Sequence, residues 1–486
     1  MDISSERRAI QISALAIFSF GFLIQIWLIW TYPPLYGGDT VLHLRNHEHI
    51  FLGHQLPLLQ ALIFLTYKVT DIPMAVRCGM AVIGAAAGLG FYLLAKSLIN
   101  PKAALCAALF FVTNPFVNEI SIVPFQEILM LGTLCFATYF YLQNRIVAAS
   151  LMLALACLAR YEAWIACPFF AFDYVMRNRR TFAAMPASIF VFCWVPLAWI
   201  GWHLGLASPG SYVIEMPRSF ERLVRWIYLC WILIKNTPLP VLLFGLSGLY
   251  FVWIRRGEKR VRTGAAFALL FGIAVLFSAH GDNHSGTAST ERFVSSREAI
   301  LPAGAVLLLA GVGAGYLHRK QKWRLPVNYL LGAAVLLGLF QSTHFVRFEV
   351  SQPDVSLSYQ LARYVDAHLQ SGERMLISAK PFSSADLDPY IEKVREVGGE
   401  SAYKTALRNL ATEDLSPIDF QRTAVQCRRA GALAATGNPD NFEWIAVWSD
   451  SQAKPTFTNQ LSQLRSEDML RAGSLAIAIY HRPTKK

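Results

Sequence analysis

The chain has 486 residues, of which 54% are hydrophobic and only 16% charged, with a formal net charge of +12. That is too little polar surface to keep a soluble protein of this length dissolved. The cations fall in short clusters between long apolar runs, a pattern of membrane topology rather than of a nucleic-acid surface.

The first apolar run is Ile10–Trp30, and Met74–Lys96, Ile122–Leu142, Phe182–Leu204, Ala299–Leu317 and Val327–Phe345 follow. Each is near the roughly 20 residues a helix needs to cross hydrocarbon. No small-residue cleavage site follows the first run, so it reads as a retained span. The basic clusters are Arg7-Arg8, Lys96 with Lys102, Arg145, Arg177 to Arg180, Arg255 to Arg262 and Arg319 to Arg324. Placing them all in the cytoplasm satisfies the positive-inside rule, with about eleven spans, a cytoplasmic N-terminus and an outer C-terminal tail. To keep that alternation, Leu223–Ile234 reads as interfacial or re-entrant.

Residues 32–73 form a long outer loop, opened by Tyr32-Pro33-Pro34 and Gly37-Gly38, which break the helix. Leu56–Val69 within it is too short to cross and is expected to lie on the interface. Further outer connections are expected at 204–222 and 281–298. The spacings Gly84/Gly88 and Gly311/Gly315 favour close helix packing; the GVGAG run, inside a span with no strand before it, is no nucleotide loop. Residues 1–346 thus form a transmembrane domain, and 347–486 a small soluble α/β domain on the outer face. In the latter, Leu357–Leu369 and Asn459–Arg471 read as amphipathic helices, and Met375–Ser378, Trp444–Trp448 and Leu475–Tyr480 as buried strands. Seven of the eight cysteines lie in or beside apolar helices; Cys427 alone is in the tail, so that domain forms no internal disulfide.

Four clusters carry candidate chemistry. In the first loop, Asp39, His43 and His47 are spaced i, i+4, i+8 and share a face if the segment is helical. Such a face suits a general base with a proton partner, or a metal ligand set; alternatively Asp39 caps a helix starting at Thr40 and the histidines are solvated. Asn118-Glu119 and Gln126-Glu127 are read near the outer end of one span, where Glu127 either lines a polar cavity or sits at the interface. Arg160-Tyr161-Glu162-Ala163-Trp164 places a charged pair beside aromatics at an outer turn, fit for an anionic head group or for a plain aromatic belt. In the stretch Glu291 to Pro302, Arg292 and Arg297 sit where a lipid phosphate would lie, and guanidinium suits bidentate phosphate contacts.

In order and sidedness these segments resemble the GT-C class of membrane glycosyltransferases, which take sugars from polyprenyl-phosphate donors. The matching points are Gly38-Asp39 with His43, the Arg160 to Glu162 turn, the Glu291 to Pro302 segment and the outer C-terminal domain. The Glu-Arg-Phe…Pro segment looks like that of the lipid-linked and glycolipid-anchor mannosyltransferases. Many relatives carry an Asp-Glu pair in the first loop, whereas Thr40 follows Asp39 here; the tail lacks the tryptophan-rich acceptor motif of oligosaccharyltransferases.

The resemblance implies an inverting transferase with Asp39 as general base and His43 supporting it. Arg160, Arg292 and Arg297 would contact phosphate, with Glu162 in support and Glu127 lining the substrate cavity. The implied partners are a polyprenyl-phosphate-linked sugar donor, a lipid, glycan or protein acceptor and membrane lipids, in what reads as a bacterial inner membrane with its site on the periplasmic face. No cofactor is implied with certainty, and divalent-metal dependence stays open. The competing readings are an O-antigen-ligase-like or polymerase-like transferase, which needs no first-loop Asp, and a lipid-linked sugar flippase or other transporter. A transporter would place ionisable groups at mid-membrane depth, often in repeated halves; here most span centres are uncharged and no internal repeat is found.

Overall fold

The computed structural model describes residues 3–51, 56–70, 72–177, 185–206, 230–254, 300–320, 323–378, 418–434, 441–450, 465–472 and 475–482. The loop 281–298, with Arg292 and Arg297, and the cluster Arg255 to Arg262 lie outside these residues.

Among the described residues, three helices are long and apolar enough to cross a membrane: α1 (Ile3–Thr31), α4 (Pro73–Leu98) and α14 (Arg324–Val350). Two bent pairs bring the number to five if each is one span. One is α5 (Pro101–Val112) with α6 (Pro115–Ser121), bent by 58°. The other is α11 (Cys230–Asn236) with α12 (Leu239–Ile254), bent by 120°, a broken span or a re-entrant loop; residues 223–229 of the segment expected to be interfacial or re-entrant lie outside the described residues. The other described helices of the bundle are α3 (Pro57–Val69), α7 (Gln126–Leu142), α8 (Ile146–Ala159), α9 (Ala166–Arg177), α10 (Met185–Leu206) and α13 (Ile300–Arg319).

The span expected from Ile122 starts later. Pro124 has no N–H to give and disfavours helix at the residue before it, so the chain turns at 122–124 and α7 begins at Gln126. Asn118-Glu119 and Gln126-Glu127 therefore belong to two helices, α6 and α7, not to one span. Asn118 is a packing group: its Nδ2 donates to Ser342 Oγ at 3.0 Å, and Ser342 Oγ donates to the Thr113 carbonyl at 3.1 Å, pinning α6 to α14.

Glycines let the helices close up. A Cβ on Gly88 would meet Val112 at 2.7 Å, and one on Gly311 would meet the Ala103 carbonyl at 2.7 Å. Both expected small-residue spacings are thus sites of close approach. Gly248 and Gly313 serve the same purpose between α12 and α13, where a Cβ on either would overlap the facing backbone.

The bundle has two chemically distinct ends. At one, Gln143 Nε2 donates to Ser97 Oγ at 3.5 Å, and His318 lies within electrostatic reach of Lys102 and Arg324. The helix ends bearing Lys96, Lys102, Arg319 and Arg324 therefore gather together. The opposite end carries the start of α4, the 122–125 turn and the connection between α8 and α9.

At that second end α14 runs into α15 (Pro353–His368), which opens the C-terminal domain. Its five-stranded sheet has the order β2-β1-β3-β5-β4, from β1 (Met375–Ser378), β2 (Leu433–Ala434), β3 (Trp444–Asp450), β4 (Arg465–Ala472) and β5 (Leu475–His481). Strand β1 is parallel to β2 and β3, and β5 is antiparallel to β3 and β4. Leu357, Leu361 and Val365 of α15 cover Met375, Ile377, Ala446 and Ile479. The described part of the expected helix Asn459–Arg471 is instead β4. A bulge between Ser466 and Asp468 breaks the two-residue alternation that marks a strand. The last described helix, α16 (Ile418–Gln426), lies between this domain and the membrane bundle.

Candidate functional site

The site is built from the first loop. Helix α1 ends before Pro33-Pro34, and Arg77, 1% exposed at the start of α4, ties the chain down there. Its NH1 donates to the Pro33 carbonyl at 2.6 Å, NH2 to Tyr32 at 3.1 Å and Nε to Ile122 at 2.8 Å. A buried cation is tolerated because it satisfies carbonyls left without partners where the helices end. Tyr36 follows, buried, with its hydroxyl donating to the Glu119 carbonyl at 3.0 Å. Burial, reinforced by the Glu119 charge, holds the Tyr36 phenol well above its ordinary range, so it remains a donor.

Gly37 adopts φ +81°, a region L side chains avoid. A Cβ there would also lie 2.8 Å from Phe125 Cζ. The loop thus runs directly against the turn that precedes α7. Helix α2 (Gly38–Arg45) starts at this point, with Gly37 as its N-cap and Asp39 in its first turn. The helix thus begins at Gly38 rather than at Thr40, with Gly37 at its cap position.

His43 is buried at 3% exposure, not solvated. Its Nδ1 lies 3.0 Å from Gln60 Oε1 on α3, while Gln60 Nε2 donates to the carbonyls of His43 at 3.1 Å and Asn46 at 2.6 Å. With the Gln60 amide spent on two carbonyls, its oxygen accepts, so Nδ1 of His43 carries the proton. His47 does not share the α2 face. Asn46 ends the helix through its backbone N–H and Nδ2, both donating to Leu42, and the His47 ring instead stacks on Tyr67 at 4.1 Å. Among the described residues no three His, Cys, Asp or Glu side chains are arranged to hold a metal ion.

Helix α3 packs on α2, α7 and α8 and so connects the loop to the second part of the site. There Glu127, in the first turn of α7, meets Arg160 at the end of α8 and Glu162 in the one-turn 3-10 helix Tyr161–Ile165. Arg160 NH1 donates to Glu127 Oε1 at 2.7 Å, and Nε reaches both Glu162 oxygens at 3.0 Å. The Glu127 side chain is 6% exposed, a position tenable for a carboxylate only when paired. Trp164 fixes the turn by donating Nε1 to the Cys157 carbonyl at 3.0 Å.

Of the residues singled out from the sequence, Glu127, Arg160 and Glu162 come together in one cluster, and Asp39 and His43 lie on the adjoining α2. Gln60, Arg77 and Tyr36 were not singled out as site residues.

No family model matches the chain, and no curated protein matches it by sequence. Solved structures do match in fold. ArnT from Cupriavidus metallidurans in the apo state aligns at TM-score 0.53 and 10% identity, over 96% of this chain and 97% of that one. The same protein bound to undecaprenyl phosphate gives 0.49 at 11% identity, over 98% of each chain. An oligosaccharyltransferase from Archaeoglobus fulgidus gives 0.46 at 13% identity, over 90% of this chain and 70% of that one. The fold assignment rests on the first of these, and it agrees with the GT-C resemblance drawn from the sequence.

Proposed function

We propose that the protein is an inverting membrane glycosyltransferase that moves a sugar from a polyprenyl-phosphate donor to an acceptor hydroxyl. The reading is carried by one observation: Gly37 lies against Phe125, so the loop bearing Asp39 adjoins the turn leading to the Glu127–Arg160–Glu162 cluster.

The chemistry follows from the donor. Its anomeric carbon is bonded to a phosphate oxygen, so the leaving group is already an anion. Asp39 takes the proton of the acceptor hydroxyl as that oxygen attacks the anomeric carbon. The bond from that carbon to the phosphate oxygen breaks, configuration inverts, and polyprenyl phosphate departs. His43 supports the base by locking α2 to Gln60 of α3.

Glu127, Arg160 and Glu162 hold a guanidinium and two carboxylates in fixed directions. Carboxylates accept from sugar hydroxyls, and a guanidinium donates to sugar or phosphate oxygens. Substrate binding is therefore assigned to these three residues, with Arg160 toward the phosphate. Neutralising the phosphate is shared with Arg292 and Arg297, whose guanidinium groups match it bidentately. The basic end of the bundle is assigned to the cytoplasm and the site to the periplasmic face.

The test is transfer from a panel of polyprenyl-phosphate sugars in purified membranes, wild type against Asp39→Asn. Loss of a general base should cut the rate by roughly 10²–10⁴-fold. Wild-type activity in Asp39→Asn would instead favour a ligase-like transferase.

A further inference from the structure

The buried amide of Leu35, four residues before Asp39, finds its acceptor in the C-terminal domain. Its N–H donates to Gln426 Oε1 at 2.8 Å, across 391 positions of sequence. A buried backbone N–H without an acceptor costs about as much as a lost hydrogen bond, and Leu35 stands just after Pro33-Pro34, where the helical ladder has ended.

Gln426 is itself held in place. Its Nε2 donates to the Arg422 carbonyl at 3.0 Å, which aims Oε1 at the loop. Arg422 pairs with Asp354 at 2.7 Å at the start of α15. Asp366, near the other end of α15, accepts from Cys427 Sγ at 3.2 Å and from the Arg428 N–H at 3.0 Å. Helix α16, at its middle and C-terminal end, is thus pinned to both ends of α15. Its outer side packs on α2, and Val425 reaches the core of the membrane bundle.

We propose that Gln426 is a positioning residue through which the C-terminal domain sets the placement of the Asp39 loop. The domain is then part of the site's scaffold, and release of α16 would unlatch the loop. This rests on Asp39 being the base.

The experiment uses the full-length protein and three variants, Gln426→Leu, Gln426→Ala and Gln426→Glu. Backbone hydrogen exchange over residues 32–45 is read beside transfer kinetics. Gln426→Leu and Gln426→Ala should speed exchange in that segment while α1 and α4 keep wild-type protection. Misplacing a reacting group by about an ångström costs up to roughly 10²-fold, so kcat should fall by about 10- to 100-fold with the donor KM little changed. Gln426→Glu keeps an acceptor for the Leu35 N–H but loses the Nε2 bond to the Arg422 carbonyl, so it should recover part of the loss. In an Asp39→Asn background, the Gln426 substitutions should have no further effect on rate.

Unchanged exchange at 32–45 in both Gln426→Leu and Gln426→Ala overturns the coupling. Faster exchange with unchanged kcat overturns the positioning role. Should Asp39→Asn alone prove fully active, the base assignment has failed, and the exchange result still decides whether Gln426 holds the loop.

Discussion

At the scale of single residues, the Glu127–Arg160–Glu162 cluster makes the sharpest stability claim. Arg160→Ala removes the guanidinium that Glu127 and Glu162 share, and removing one partner of a buried pair costs up to about 3–5 kcal/mol. Glu127→Gln keeps the shape and an acceptor, so it should cost clearly less. Thermal unfolding in detergent checks the order, and equal Tm losses would contradict it. Cys427 gives a second test. Burial, with Asp366 beside it, pushes its thiol up to about 12 from 9.0. A raised thiol pKa contributes stability that is complete below 9 and lost as pH rises toward 12. The native protein should therefore resist thiolate-directed alkylation of Cys427 at pH 8, as read by mass spectrometry. Arg160 and Glu162 were legible from the sequence because they are neighbours in it, and Glu127 because a charge in an apolar run is costly. Arg77 carries the same signal, a charge inside the run Met74–Lys96, but its contacts, like those of Gln60 and Gln426, do not show in the sequence. Their partners include backbone carbonyls or amides, which every residue carries and no pattern marks.

At the scale of elements, helix packing was readable and local breaks were not. The Gly311/Gly315 spacing announces close approach, and a Cβ at Gly311 would sit 2.7 Å from the Ala103 carbonyl. Gly311→Ala should cost about 1–3 kcal/mol through overpacking between α13 and α5. Among the described residues nothing lies within 4 Å of a Cβ on Gly332 of α14, so Gly332→Ala should stabilise by about 0.4–1 kcal/mol. Opposite shifts of Tm between the two variants are expected; shifts of the same sign would refute the packing assignment. The break at Pro124 was hidden because apolar residues surround it on both sides. Strand β4 was hidden by its bulge, which left a spacing that imitates a helix face. Helix α2 itself was legible, but its end was not: Asn46 stops it one residue before His47, so a face that spacing alone extends over three residues carries two.

At the scale of the molecule, the two ends of the bundle make the proposed topology testable. Gathering Lys96, Lys102, Arg319 and Arg324 at one end leaves α2, the Arg160 cluster and the C-terminal domain at the other. A C-terminal alkaline phosphatase fusion should therefore be active and a C-terminal green fluorescent protein fusion dark; the reverse pattern would place the site in the cytoplasm. The central claim is that the first loop and the Arg160 cluster act as one catalytic unit. Transfer rates of purified wild type, Asp39→Asn, Glu127→Gln and the double variant test it most directly. Groups that act as a unit lose little more together than the worse single loss, so the double variant should match Asp39→Asn within a few-fold. Losses that multiply in full, or undiminished transfer in Asp39→Asn, would contradict the account.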